Sequence, residues 1–124
     1  MCNATARVTG AALGRFRLIS VDTSTPGKLI HCPAGGGCVG SLQEGAPNDI
    51  FAAGTVVSPD EIEIGKEVTL VAGEILAPGD FFKAGAYGGA DGYAVKDASK
   101  TVDTLGKVRQ AAAAGERFRA EYTK

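Results

Sequence analysis

Two short stretches in the second half of the chain decide the fold: Gly79-Asp80-Phe81-Phe82 and Gly92-Tyr93-Ala94-Val95. Both have a counterpart 65 positions earlier in the chain. The counterparts are Gly14-Arg15-Phe16-Arg17 and Gly27-Lys28-Leu29-Ile30. A constant spacing between two matches indicates an internal repeat.

A third match extends this repeat. Residues 39–44 resemble residues 105–110, which lie 66 positions later. We therefore predict a repeat covering about residues 14–58 and 79–120, with each copy forming a similar β unit. A single small sheet would expose an apolar face and unpaired strand edges. Two units that close on each other avoid this, so the repeat predicts a mostly β, barrel-like domain.

Alternating apolar and polar residues support a β fold along the chain. The clearest alternation covers residues 116–122, and shorter ones cover residues 15–18 and 61–64. Turn signals such as Pro78-Gly79-Asp80 and Asp91-Gly92 separate these stretches. Glycine accounts for 18 of 124 residues, about twice the usual share of about 7%. Short strands with frequent turns are typical of a sandwich or a small barrel.

One segment leaves its secondary structure open. Residues 107–115 contain four consecutive alanines, Ala111 to Ala114, which favour a helix. A helix of that length is marginal alone, and the segment continues directly into the alternating residues 116–122. The segment is therefore either a short helix or an extended stretch, and the domain contains at most one short helix.

Length and charge restrict the function. The 124 residues fit one domain. The 13 Lys and Arg against 14 Asp and Glu leave a net charge of −1, too little positive charge for nucleic-acid binding. Charged or glycine residues interrupt every apolar run, which predicts no membrane span. Positive charge is concentrated at Arg7, Arg15 and Arg17, ahead of the first acid, Asp22.

We expect residues 1–13 to form an N-terminal arm and residues 14–124 a single β-rich domain. The three arginines near this arm are the predicted contact residues for a negatively charged partner surface.

The histidine and the cysteines are the residues that could bind metal or catalyse a reaction. His31 and Cys32 are adjacent, and Cys38 follows closely. A zinc site would need Cys2 as well, but adjacent residues of a strand point to opposite faces. The same geometry opposes a Cys–His nucleophile. A Cys32–Cys38 disulfide is the alternative. We expect no catalytic, cofactor or metal site and no small-molecule substrate.

Several blocks of the second half resemble the capsid cement, or decoration, proteins of tailed bacteriophages. The resemblance rests on the order of the blocks: a glycine turn entering a strand, a glycine hairpin, a short glycine strand, an alanine-rich segment and a last strand. These blocks are residues 71–84, 90–96, 105–108 and 111–116. The first half resembles a more degraded copy of the same pattern.

The resemblance implies a small β-rich fold of the type called a β-tulip. It also implies a structural virion protein, made in the host cytoplasm, that binds the exterior of the mature capsid as a homotrimer at threefold positions and stabilises the shell. Its partner would be the phage major capsid protein, and no enzymatic activity is expected. The extended form of Ala111 to Ala114 follows as well.

Two alternatives remain. A β-clip or barrel-sandwich module of a bacterial enzyme system would place a modified lysine, with Lys83 the candidate, on an exposed hairpin. The other alternative is a small bacterial β domain with an unknown binding role.

Overall fold

The computed structural model describes residues 7–22, 24, 27–35, 37–45, 47–98 and 101–123. Within these residues the chain is built of short strands and contains no α-helix. This confirms the prediction of a small, mostly β domain. The elements are β1 Arg7–Thr9, β2 Leu13–Gly14, β3 Leu18–Val21, β4 Lys28–His31, β5 Cys38–Ser41, a 3-10 turn at Pro47–Asp49, β6 Ile50–Phe51, β7 Val56–Val57, β8 Asp60–Glu61, β9 Glu67–Val71, β10 Phe81–Tyr87, β11 Ala90–Asp97, β12 Gly106–Val108 and β13 Arg117–Tyr122.

Each half of the chain forms one main sheet that curves toward closure. The first unit has the strand order β7-β1-β4-β3-β5-β8. Its two edge strands, β7 and β8, are separated only by Ser58 and Pro59, so one interrupted strand supplies both edges. The second unit has the order β11-β10-β12-β13-β9. A bridge between Ala72 and Ala94 links the end of β9 to β11. Both units are therefore barrel-like.

The two units use equivalent strand pairings. The β3–β4 hairpin with β5 beside β3 corresponds to the β10–β11 hairpin with β12 beside β10. The Gly10 N–H donates to the Leu29 carbonyl at 2.8 Å, and the Gly73 N–H donates to the Ala94 carbonyl at the same distance. β1 pairs with β7 in the first unit as β9 pairs with β13 in the second.

A pair of glycines shows how closely the equivalent strands approach. A Cβ atom on Gly40 would lie 2.1 Å from the Asp60 carbonyl oxygen. A Cβ atom on Gly106 would lie 2.1 Å from the Glu121 carbonyl oxygen. These distances are far inside van der Waals contact, so both positions require glycine.

The structure shifts one of the sequence matches by two residues. The sequence aligns Gly14 with Gly79, but Phe16 occupies the equivalent place in the first unit. The Phe16 N–H donates to the Leu42 carbonyl at 2.8 Å, as the Gly79 N–H donates to the Val108 carbonyl at 2.8 Å. Phe16 has φ 65° and Gly79 has φ 92°. A bulky residue with positive φ is uncommon, which is why the sequence hides this equivalence.

Two apolar clusters fill the units. The first unit packs Leu13, Ile19, Leu29, Leu42, Phe51 and Val57. The larger cluster lies in the second unit, where the alternation of β13 buries Phe118, Ala120 and Tyr122. Leu18 and Cys32 of the first unit also join this larger cluster, so the two units share part of their core. Burying a large apolar side chain contributes about 1.5–3 kcal/mol.

Part of the predicted N-terminal arm belongs to the domain. Residues 7–9 form β1 between β4 and β7, and Leu13 is buried. Residues 7–13 are therefore integrated in the first unit, while residues 1–6 lie outside the described part of the chain.

The alanine-rich segment is not helical: it is extended around Ala112, and Ala114 lies in the turn before β13. Ala112 forms a bridge with Leu76, and both backbone N–H groups of this pair donate to the opposite carbonyl. A helix would break this pairing, so tertiary contacts decide against the helical propensity of the alanines. The described residues contain no helix long and apolar enough to span a membrane.

Candidate functional site: an arginine seam between the units

We call the boundary between the two units the seam; it contains Arg15, Phe16, Arg17, Tyr93 and Arg117. Its arginine side chains stack on aromatic rings. The Phe16 ring has the Arg15 guanidinium carbon 4.3 Å from its centroid and the Arg117 guanidinium carbon 4.7 Å from it. Arg15 comes from a turn of the first unit and Arg117 from β13 of the second. A guanidinium over an aromatic face contributes about 0.5–1 kcal/mol at exposed sites. The stack therefore connects the two units.

Asp49 lies between the two cations of this stack. Its Oδ1 atom is 3.5 Å from Arg15 Nη1, and its Oδ2 atom accepts a hydrogen bond from Arg117 Nη2. The hydrogen bond from Arg117 is the main cause that lowers the pKa of this carboxyl, and Arg15 lowers it further. Asp49 is therefore a shared counterion that holds residues from both units.

Arg17 makes a second cation–aromatic contact across the seam. Its guanidinium carbon lies 4.2 Å from the Tyr93 ring centroid, and its Nη2 donates to the Asp91 carbonyl. Burial lowers the pKa of Arg17, whereas Tyr93 and Asp91 raise it. Among the described residues, its buried Nε has no hydrogen-bond partner.

Backbone and amide hydrogen bonds complete the seam. The Val71 N–H donates to the Phe16 carbonyl at 3.1 Å. The Gln43 side-chain amide donates to the Thr69 carbonyl at 2.8 Å and accepts from the Thr69 N–H at 3.1 Å. Gln43 thus takes the place of a neighbouring strand along β9. The backbone N–H and carbonyl of Thr69 are therefore both hydrogen-bonded, which avoids the free-energy cost of leaving them unpaired.

His31 is a structural residue at this seam. Its Nε2 atom accepts a hydrogen bond from the Gly14 N–H at 2.9 Å. Burial, with a smaller effect from Arg17, lowers the pKa of His31 to about 4. A Cβ atom on Gly92 would lie 3.1 Å from the His31 Cβ, so the second unit packs directly against it. The Nε2 lone pair is occupied and cannot bind a metal in this arrangement.

The cysteines of the first unit are covalently linked. Cys32 and Cys38 form a disulfide that joins the end of β4 to the start of β5. Of the zinc site, the Cys–His nucleophile and the disulfide, the structure has the disulfide. Neither sulfur is a thiolate nucleophile or zinc ligand in this form. Cys2 lies outside the described residues. No group of three His, Cys, Asp or Glu side chains that could hold a metal ion occurs in the described part of the chain.

The predicted contact arginines occupy different environments. Arg7 lies in β1, paired with Val57, but its side chain is outside the described part of the structure. Arg15 and Arg17 flank Phe16, and both already bind groups of the protein. Arg117 joins them, although the charge pattern of the sequence did not point to it. The alternation of residues 116–122 could have identified it, because it places Arg117 and Arg119 together on the exposed face of β13.

The lysine of the carrier hypothesis is in a strand. Lys83 lies within β10, half-buried and paired with Val95 of β11. It is not at a hairpin tip, where a carrier domain would present a modified lysine.

A groove of about 330 Å³ opens on the first unit. Its described lining residues are Thr9, Gly10, Asp22, Lys28, Ala53 and Gly54. Gly115 is the counterpart of Gly54, because the Gly54 N–H donates to the Thr9 carbonyl as the Gly115 N–H donates to the Ala72 carbonyl. A Cβ atom on Gly115 would lie 3.5 Å from the Tyr87 hydroxyl oxygen, so the Tyr87 ring occupies the equivalent region of the second unit. The groove is therefore a feature in which the two otherwise equivalent units differ.

Comparison with known proteins finds a solved structure with a similar fold. No protein-family model and no curated protein matches the sequence. The fold is similar to the crystal structure of the N base of the head fiber gp8.5 in bacteriophage phi29, with a TM-score of 0.72. The similarity covers 95% of this chain and 91% of that chain, at 14% sequence identity. The two proteins thus share a fold along nearly their whole lengths.

Proposed function

We propose that the protein is a structural component of a phage virion that binds the exterior of the mature capsid and stabilises the shell. The observation that carries this proposal is the similarity to a head fiber base over 95% of this chain. Because the match includes both units, it concerns the whole fold rather than a small common motif. The order of sequence blocks that resembles capsid cement proteins supports the same role independently.

We further propose a homotrimer at threefold positions of the shell, with the major capsid protein as partner. A protein that binds only the assembled shell stabilises that state by mass action. In a trimer each contact is made three times, so weak single contacts sum to strong attachment. This role requires shape and surface contacts and no catalytic residue.

Arg7, Arg15 and Arg17 remain the proposed contact residues of the N-terminal part. The Arg15 side chain is 29% exposed and contacts the Asp49 carboxylate and the Gln43 carbonyl. A carboxylate of the shell would therefore bind the exposed edge of the guanidinium while Arg15 keeps both of these contacts. Electrostatic contacts of this kind mainly set the rate and orientation of encounter.

Co-sedimentation tests this function. Purified protein is mixed with expanded capsids that lack it, and in parallel with unassembled coat subunits. We expect saturable binding to the capsids and none to the subunits, together with a trimeric mass by light scattering on or off the shell. Absence of binding to the capsids would contradict the proposed function, while binding by a monomer would contradict only the trimer.

A further inference from the structure

Three arginines lie together on the outer surface of the second unit. Arg117 and Arg119 are two residues apart on β13 and are both exposed. Arg109 follows β12, and its N–H donates to the Arg119 carbonyl at 2.8 Å, which places it opposite Arg119. We call Arg109, Arg117 and Arg119 the arginine face. The chain as a whole has a net charge of −1, so this is a local concentration of positive charge.

The arginine face is only partly neutralised by the protein itself. Arg109 binds Glu121 through Nε at 2.8 Å and through Nη2. Arg117 binds Asp49 through Nη2 alone, and its side chain remains 52% exposed. Among the described residues, Arg119 has neither a hydrogen bond nor an ion pair through its side chain. A guanidinium has five N–H donors, so most of the donors of Arg117 and Arg119 face solvent.

The arginine face adjoins the strained part of the seam. Phe16, Asn48 and Asp49 are the non-glycine residues with positive φ in the described structure, at 65°, 54° and 58°. Arg117 contacts two of them, the Phe16 ring and the Asp49 carboxylate. Backbone strain is often concentrated at interaction sites, where the surrounding structure maintains it. Here the contacts with Phe16 and Asp49 position the Arg117 side chain, and β13 places Arg119 beside it.

We propose that the arginine face docks an acidic surface of the capsid shell, with shell carboxylates binding Arg117 and Arg119. This inference rests on the proposed function and names the surface that carries it. The planar guanidinium matches a carboxylate through two parallel hydrogen bonds. Asp49 and Glu121 are interspersed among the arginines and paired with Arg117 and Arg109. The face therefore offers separate positions for single carboxylates rather than a continuous positive track for a phosphate backbone.

The test compares two charge reversals that change the net charge equally. Arg119→Glu alters the face without breaking a contact in the described structure. Lys96→Glu is the control, because Lys96 is 51% exposed and lies on β11, which pairs with neither β12 nor β13. The contact it loses is an ion pair with Asp80 at 4.0 Å, away from the arginine face. Binding to expanded capsids lacking the protein is measured at low and high salt, and thermal melting establishes that both variants fold.

We expect Arg119→Glu to weaken capsid binding about tenfold or more at low salt, and the deficit to shrink as salt rises. Lys96→Glu should bind within about twofold of the unchanged protein. Equal binding by the two variants, while the unchanged protein binds, would overturn the proposal that the arginine face docks the shell. It would leave the proposed function intact. No binding by the unchanged protein would overturn both. Duplex DNA binding that Arg119→Glu abolishes, with capsid binding unchanged, would assign the face to nucleic acid and also overturn the proposal.

Discussion

Phe16 provides a direct test of the equivalence between the two units. It adopts φ 65° at the place where the second unit has Gly79, and the residue is 8% exposed, with its ring between Arg15 and Arg117. Replacement by alanine removes the ring but keeps a Cβ atom in the left-handed region. Replacement by glycine removes the ring and the strain together. The two variants therefore separate packing from backbone conformation at one site.

The expected magnitudes follow from these two effects. Losing a buried phenylalanine ring costs about 3–5 kcal/mol. The left-handed conformation costs an L residue about 1–2 kcal/mol, whereas glycine loses about 0.5–1 kcal/mol more entropy on folding than alanine. We therefore expect Phe16→Gly to be about 1 kcal/mol more stable than Phe16→Ala, and both to be less stable than the unchanged protein.

Urea denaturation of the three proteins measures these differences in the free energy of unfolding. Gly79→Ala is the matched control in the second unit, since a Cβ atom there would have no neighbour within 4 Å. The same balance of backbone strain and chain entropy predicts a cost of about 1 kcal/mol for Gly79→Ala. If Phe16→Gly is no more stable than Phe16→Ala, Phe16 is not held in the conformation that Gly79 adopts, and the structural equivalence of the two turns is refuted.

Three further predictions concern the close strand approach, the disulfide and the histidine. Gly106→Ala, which puts a Cβ atom 2.1 Å from a carbonyl oxygen, should lower the free energy of unfolding by more than about 2 kcal/mol, whereas Gly37→Ala, with open space around it, should change it by less than about 0.5 kcal/mol; similar melting of the two variants would contradict the steric argument. Reducing the Cys32–Cys38 disulfide, whose cysteines are 6 residues apart, should cost about 2 kcal/mol in urea denaturation, and no change would show that the loop is equally constrained without it. The pKa of His31, about 4, lies below the ordinary value of about 6.5, so the unfolded chain binds more protons between these values and stability should fall as pH drops from about 6.5 to about 4; an NMR titration of His31 with a midpoint near 6.5 would contradict this.

Local patterns were sufficient to predict the parts of the fold that local residues determine. The alternation at residues 116–122 predicts β13. The paired glycines Gly27 and Gly92 both have positive φ, Gly27 just before β4 and Gly92 within β11, where the sequence predicts a turn at Asp91-Gly92. These features depend on side-chain period and on backbone freedom, which a sequence displays directly.

Features that depend on distant partners could not be predicted. The extended form of the alanine-rich segment depends on pairing between Ala112 and Leu76. The contacts of Arg17 with Asp91 and Tyr93 join the two halves of the chain. A sequence shows that Arg17 is charged, but only the folded structure shows which groups surround it.

The candidate surface illustrates the same limit. Positive charge near the N-terminus identified Arg15 and Arg17, which lie at the seam and already have protein partners. The more exposed Arg117 and Arg119 are dispersed among acids in the sequence, and only the pairing of β12 with β13 brings Arg109 beside them.

Binding to the capsid exterior is the central claim, and cryo-electron microscopy of virions made with and without this protein tests it most directly. We expect trimeric density on the outer surface at threefold positions, absent from particles that lack the protein and restored when purified protein is added. An identical outer surface in the two kinds of particle would contradict it.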